Sequence, residues 1–332
     1  MKIHVLPNPH RTTTSVYADA DPFAIIVHKY IHNLKHKYEF IHYGLEGSDV
    51  DCEHHSLPKN LEEFNREASK LIAERKSPGD IILCFYGTDN RDATIDHQDL
   101  KIVEPVIGYT PGAIFAPFRV FESYSHMAYY YGTRDMLMSP SWWDAVIPSG
   151  KNPNDFIYNE QKDDYFLCFG RVTKEKGIDL AIQATDRAGV RLVIAGPGDL
   201  KSMGYNKIPK HVTFTGVCDV EKRKFLMKNA MGIIGPTHFL EPFGNMVVEG
   251  YFSGTPAITS DWGAFTETVV QGKTGYRCRL FRDFVEAIDK VKSNAINPKD
   301  CYDYAMKNYT HDVVYDKHDK YLQRLIMGDY YG

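Results

Sequence analysis

The sequence has no closely paired cysteines. Its six, Cys52, Cys84, Cys168, Cys218, Cys278 and Cys301, are scattered without a single C-x-x-C, and several sit in strand-like apolar runs such as YFLCFG. That spacing argues against a disulfide framework and reads as reduced thiols in a cytoplasmic protein. Nor does any apolar run approach the roughly 18 residues of a membrane span. The opening MKIHVLPNPH lacks the charged and apolar regions of an export signal, so a soluble chain without a visible signal is expected. Charge imbalance is small as well: 39 Lys and Arg against 43 Asp and Glu give a formal net charge of -4. Whole-chain electrostatics therefore do not point to a polyanionic partner, and only a local basic patch stays open. No short repeat or low-complexity segment is evident.

What is present is a globular composition, 43% hydrophobic and 25% charged over 332 residues, long enough for two ordinary domains. Short β-branched and aromatic runs alternate with amphipathic stretches, the pattern of parallel sheets with crossover helices. KIHVL, EFIHYG, GDIILCFYG, LKIVEPVIGY and DAVIP read as strands, with helices near 22–37, 59–76 and 117–131. After the linker-like VIPSGKNPNDF the pattern restarts with YFLCFG, RLVIAG, VTFTG, MGIIGP and PAITS. The expected fold class is α/β, with two doubly wound Rossmann-like domains over 1–150 and 151–310 and a last helical stretch over about 311–332. Ligands of such sheets bind outside the carboxyl ends of the strands.

The stretch THFLEPFGNMVVEGYFSGTP, 237–256, places Glu241 and Glu249 with seven residues between them across a helix start. MGIIGP reads as the strand before it, and Gly254 with Pro256 as the end of the helix. Backbone N-H groups of Gly244, Asn245 and Met246 would then face a ligand with the positive end of the helix dipole behind them, which suits a phosphate. Glu249, roughly 6 to 8 Å further along the axis at 1.5 Å per residue, could accept from two ribose hydroxyls, and Glu241 would meet a transferred sugar. The plainer alternative is an ordinary loop acid and a helix-surface acid. In FGRVTKEKG, Arg171 and Lys176 follow the first strand of the same half and can neutralise a diphosphate; a solvated basic turn is the alternative. IAGPGD and TGVCD leave room for a flat base, with Val217 offering backbone groups to its edge.

The ordered run FGRVTKEKG, AGPGD, FTGV and PTHFLEPFGNMVVEGYFSGTPAITSDWGAFTETVVQGKTGY, about 165–277, resembles the donor-binding domain of family 4 retaining glycosyltransferases, which have the two-domain GT-B fold. In the first half only GYTPGAIFAPFRVFESYSHM is similar to a stretch in a subset of that family. The resemblance implies two Rossmann-like domains facing a central cleft, the first binding acceptor and joined by the last helix, the second binding donor. It implies transfer of a sugar from a nucleoside diphosphate sugar with retention, and no cofactor or metal. Arg171 and Lys176 match the family's diphosphate cations, Glu241 its donor-sugar acid, Glu249 its ribose acid, and Gly244 with Asn245 its phosphate-binding helix start. Gly170, Pro197, Val217, Phe243 and Met246 complete the expected donor contacts. UDP-sugar is the default donor.

The chain also departs from that pattern. LPNPHRTTTSVYADADPF lacks the glycine-rich turn many relatives have after the first strand. Relatives often set a histidine from the first domain against the donor sugar; His126 is the candidate here and His97 the runner-up, each with a structural alternative. Asp19 and Asp21 spell D-x-D but read as a turn and helix cap rather than a metal site. On helix 22–37, His28, Lys29, His32, Lys35 and His36 share one face, a solvated surface or one that meets a phospholipid-linked acceptor, a membrane surface or nucleic acid. The acceptor is thus a hydroxyl of unknown class, hydroxymethylated viral DNA included. A GT-B sugar-nucleotide epimerase and a non-catalytic sugar-nucleotide binder are the other classes.

Overall fold

The computed structural model describes residues 1–15, 22–134 and 140–328, so the D-x-D at 19–21 lies outside the described residues. The chain divides into two compact units, Met1–Pro148 with His311–Gly332, and Ser149–Thr310. Among the described residues no helix is long and apolar enough to cross a membrane, and all six cysteines are free thiols.

Unit 1 is built on seven parallel strands: β1 (Lys2–Leu6), β2 (Glu39–Leu45), β3 (Glu53–Leu57), β4 (Ile81–Cys84), β5 (Lys101–Ile107), β6 (Phe118–Phe121) and β7 (Ala145–Val146). Their order is β3-β2-β1-β4-β5-β6-β7, so the winding reverses between β1 and β4. The central strands are buried on both faces, which is why they read as continuous apolar runs rather than alternating ones. Crossover helices α1 (Pro22–Leu34), α2 (Leu61–Arg75) and α3 (Tyr124–Thr133) cover the sheet.

Unit 2 has six parallel strands: β8 (Tyr165–Phe169), β9 (Arg191–Ala195), β10 (Val212–Phe214), β11 (Gly232–Gly235), β12 (Ala257–Ser260) and β13 (Gly275–Cys278), in the order β10-β9-β8-β11-β12-β13. Its helices are α4 (Ile178–Arg187), α5 (Val220–Asn229), α6 (Asn245–Phe252), α7 (Phe265–Thr268), α8 (Phe281–Lys292) and α9 (Pro298–Asn308). The final helix, α10 (His311–Met327), belongs to unit 1. It seats Val314, Tyr315, Tyr321, Leu322 and Leu325 in the same core as Val27, Tyr30 and Ile31 of α1.

The structure corrects the helix expected over 117–131. Residues 118–121 form β6, and α3 begins only after Ser123, whose side chain accepts from the His126 N-H as an N-cap. Alternation decides it: Val120 is buried, while Arg119 turns to the other face, where its Nε donates to Asp144 at 3.0 Å and its guanidinium stacks on Tyr130. The cationic face of α1 is partly balanced: His32 and Lys35 pair with Asp51 at 2.9 and 2.7 Å, and His28 donates to the Asp49 carbonyl.

Burial pushes six imidazoles below their ordinary value, those of His4, His42, His54, His97, His126 and His318, with His42 and His318 brought to about 3. All six lie in unit 1. Such a group takes a proton more readily in the unfolded chain, so its contribution is complete above about pH 6.5 and is lost as pH falls toward 3. Glu104, whose carboxyl burial pushes up to about 7, acts oppositely between about 4.5 and 7 and saturates below that window. Asp144, whose carboxyl burial also pushes up, acts in the same sense, so two carboxyls offset part of six imidazoles. Acidification is therefore expected to speed hydrogen exchange in unit 1 before unit 2, and simultaneous loss of protection in both would contradict this.

Candidate functional site

The carboxyl ends of β8 and β11 lie side by side because those strands are neighbours, and the loops that leave them are tied backbone to backbone. The Glu175 carbonyl accepts from the N-H of His238 at 2.8 Å and of Phe239 at 3.1 Å, and from the Thr237 hydroxyl at 3.0 Å. Gly177 makes this approach feasible: its φ is +70°, and a Cβ there would lie 1.9 Å from the Pro236 carbonyl oxygen. Lys176, one residue earlier, is thereby aimed at the second loop. Its Nζ forms an ion pair with Glu241 and lies 4.8 Å from the centre of the Phe239 ring.

Glu241 is held from the other side by β12. The Ala264 N-H donates to the Glu241 carbonyl at 3.1 Å, and a Cβ on Gly263 would stand 3.0 Å from the Glu241 backbone nitrogen, a tight contact. Phe243 packs against Tyr309, and Gly244, with φ +82°, opens α6 in a conformation that suits glycine. A Cβ on Gly244 would meet the Phe265 ring at 2.4 Å, so the helix start presses on its neighbour. Asn245 and Met246 form the first turn, where the dipole of α6 is positive.

Glu249 is 5% exposed, which rules out the helix-surface alternative. Its carboxylate ion-pairs with Arg223 of α5 and lies 3.7 Å from Lys151 Nζ, while Lys151 also donates to Asn245 Oδ1 at 2.5 Å. The Arg223 guanidinium sits over the Phe169 ring at the end of β8. Lys151, Arg223 and Phe239 were not singled out from sequence. Lys151 falls in the stretch that reads as linker, and Arg223 is one charge in the EKRK run, so only the three-dimensional fold reveals their partners.

The other expected residues fall into two groups. Gly170 (φ +139°) and exposed Arg171 lead directly into the Lys176 turn, and the Pro197 carbonyl alongside accepts from the Val172 N-H at 2.8 Å. Val217, after β10, is 72% exposed. His126 lies in unit 1. It is 2% exposed, its ring nitrogens lie 3.1 and 3.0 Å from the carbonyl oxygens of Ile107 and Tyr109, and its ring stands edge-on to Phe121. As a neutral ring it donates to one of these carbonyls, which fixes it against the loop after β5. His97 is likewise buried, with Nε2 2.9 Å from the Ser69 carbonyl.

The arrangement in unit 2 offers a carboxylate and an ammonium at one loop junction, a helix start beside them, and a second carboxylate one turn inside that helix. Comparison with known proteins agrees with this layout. The profile of the family described as glycosyl transferases group 1 matches residues 151–308. A glycogen synthase of Mycobacterium tuberculosis is 34% identical over 122 residues, covering 34% of this chain and 29% of that protein. A phosphatidyl-myo-inositol mannosyltransferase of Mycobacterium leprae is 30% identical over 233 residues, 65% of this chain and 58% of that protein. The chain thus matches about a third of the length of the first of these relatives and under two thirds of the second. Among solved structures, a sucrose-phosphate synthase from Thermosynechococcus elongatus superposes with a TM-score of 0.77 at 16% identity, over 99% of this chain and 100% of that one. Anabaena HepE in complex with UDP-glucose superposes with a TM-score of 0.72 at 14% identity, over 97% and 99%. These likenesses show the GT-B fold, and residues 151–308 resemble the family described as glycosyl transferases group 1.

Proposed function

We propose that the protein is a retaining glycosyltransferase that moves a sugar from a nucleoside diphosphate sugar, with UDP as the default nucleotide, to a hydroxyl acceptor. The observation that carries this reading is the junction of Lys176 and Glu241 beside the start of α6, with Glu249 inside the same helix. As the anomeric bond breaks, the sugar becomes oxocarbenium-like and negative charge builds on the diphosphate. Arg171, Lys176 and the N-H groups of Gly244, Asn245 and Met246 would stabilise that charge, lowering the barrier more than they strengthen ground-state binding. In this mechanism the cations of the chain supply the positive charge, with no metal or other cofactor. Glu241 would then orient the transferred sugar. Glu249, already held by Arg223 and Lys151, would take the ribose.

The relatives act on different substrates by name, and HepE was solved with UDP-glucose, which supports a nucleotide-sugar donor of that general class. Asp51 offsets part of the α1 charge, so no observation favours the reading in which duplex DNA is the acceptor. A panel of nucleotide sugars is expected to give at least one ligand that raises the melting temperature. A ligand at a hundred times its Kd contributes about 2.7 kcal/mol, which is readily measured. The stabilising donor should then release free nucleoside diphosphate when an acceptor is supplied. Stabilisation by no nucleotide sugar would overturn the proposal, release without any acceptor product would favour a hydrolase, and an altered sugar still on its nucleotide would favour an epimerase.

A further inference from the structure

The buried carboxylate of α6 meets a cation at each of its oxygens. Arg223 Nη2 forms an ion pair with Glu249 Oε2, and Lys151 Nζ lies 3.7 Å from Oε1. All three side chains are largely shielded from water, Glu249 at 7% exposure, Lys151 at 9% and Arg223 at 18%. Taking charges out of water is costly, and apolar residues of the same volume commonly serve stability as well or better. Stability alone is therefore weak ground for a cluster of this kind.

Each cation is delivered by backbone that is itself pinned. The Asp219 side chain caps α5 by accepting from the Lys222 N-H at 2.7 Å, and the Arg223 N-H donates to the Asp219 carbonyl at 3.0 Å. Arg223 thereby takes the inward face of the helix, its guanidinium 5.4 Å from the centre of the Phe169 ring at the end of β8, whereas the Glu221 side chain is 82% exposed. The ring supports one face of the planar fork while the carboxylate meets its edge. Lys151 arrives from the start of unit 2. Its N-H donates to the Tyr309 carbonyl at 2.8 Å, and its Nζ lies 2.5 Å from Asn245 Oδ1 and 3.4 Å from Ser149 Oγ. One ammonium thus touches the first residue of α6 and approaches the carboxylate a turn further on.

We propose that Arg223 and Lys151 are positioning residues that fix the Glu249 carboxylate for a ribose, and so set how strongly the chain tells a ribonucleoside diphosphate from its 2′-deoxy form. A carboxylate offers about four lone-pair sites over its two oxygens. One cation at each oxygen leaves a site on both and arrests the terminal torsion, which in an unrestrained Glu is broad. The acid then accepts from a hydroxyl without first having to be ordered. A ribose hydroxyl donates to it in a charge-assisted bond, while a 2′-deoxy ligand leaves a shielded acceptor unfilled, the situation in which rejection of an analogue is strongest. Both cations act through Glu249 rather than on the nucleotide. The inference rests on the donor reading above, in which Glu249 takes the ribose, and assigns selectivity to two residues outside α6.

The test measures, by calorimetry on the full chain, the affinity for UDP, GDP and ADP, each beside its 2′-deoxy form. For the tightest of the three the native chain is expected to favour the ribose form about tenfold or more, the worth of one hydrogen bond to a charged group. In R223M and K151M the preference should fall to about threefold or less, through weaker binding of the ribose form while the 2′-deoxy form changes little. R223K, which keeps the charge without the fork, should fall between. Loosened packing would weaken both forms alike, so the ratio separates positioning from a structural role. A native chain without preference, or a preference unchanged in R223M and K151M, overturns the inference and leaves the donor reading standing. Binding of none of the three nucleotides strikes the donor reading, and this inference with it.

Discussion

Lys176→Ala is expected to lower turnover at least a hundredfold with folding intact, and Glu241→Ala to do the same. Lys176 joins both sides of the loop junction through its ion pair with Glu241 and its position over Phe239. If the ammonium turns to a phosphate in the reacting complex, Glu241 is released to the sugar, so the two residues exchange partners as the substrate enters. Removing one charged donor from developing negative charge costs about 3 to 4 kcal/mol in transition-state stabilisation, by analogy with single oxyanion-hole donors. Because the residues act as a unit, the double variant should lose much less than the product of the two single losses. The measurement is steady-state turnover beside a melting curve for each variant. Near-normal turnover in either single variant would remove that residue from the proposed chemistry.

The second large effect is conformational. Gly177→Ala places a methyl group 1.9 Å from the carbonyl oxygen of Pro236 and 2.6 Å from its carbon, in a residue whose φ is +70°. The obstacle is backbone, so no rotamer change relieves it. Unit 2 is expected to lose about 2 to 4 kcal/mol of stability, the range for strain combined with a packing clash, and nucleotide binding should weaken because the Lys176 turn moves with Gly177. Gly189→Ala is the control: it has φ +64° and nothing within 4 Å of the added carbon, so strain alone should cost about 1 kcal/mol. Urea denaturation of both variants separates the terms, and equal losses would show that the close approach to Pro236 contributes nothing.

Much of this site could be read from residues alone because it depends on backbone demands that leave marks in sequence. Gly177 and Gly244 stand where left-handed φ values are required, and apolar runs such as MGIIGP precede them. What stayed hidden depends on partners far apart in the chain. Strand β3, EHHSL, has no apolar alternation because it is a polar edge of the sheet. The helical reading of FRVFESYSHM failed at a strand only four residues long that abuts a capped helix. The burial of His126 leaves no sign in sequence, because the carbonyls of Ile107 and Tyr109 beside its ring lie 19 and 17 positions away. Lys151 pairs with Asn245 across 94 positions, a distance over which no local pattern gives warning.

The backbone of Lys151 also has a neighbour at the opposite end of unit 2. Its N-H donates to the Tyr309 carbonyl at 2.8 Å, and it bridges in parallel to Thr310. Unit 2 therefore enters and leaves the chain at one spot, as a cassette spliced into unit 1. Excising 149–310 and rejoining its flanks with a short flexible link would leave each piece with its own core, which makes this protein a natural scaffold for exchanging one half while keeping the other.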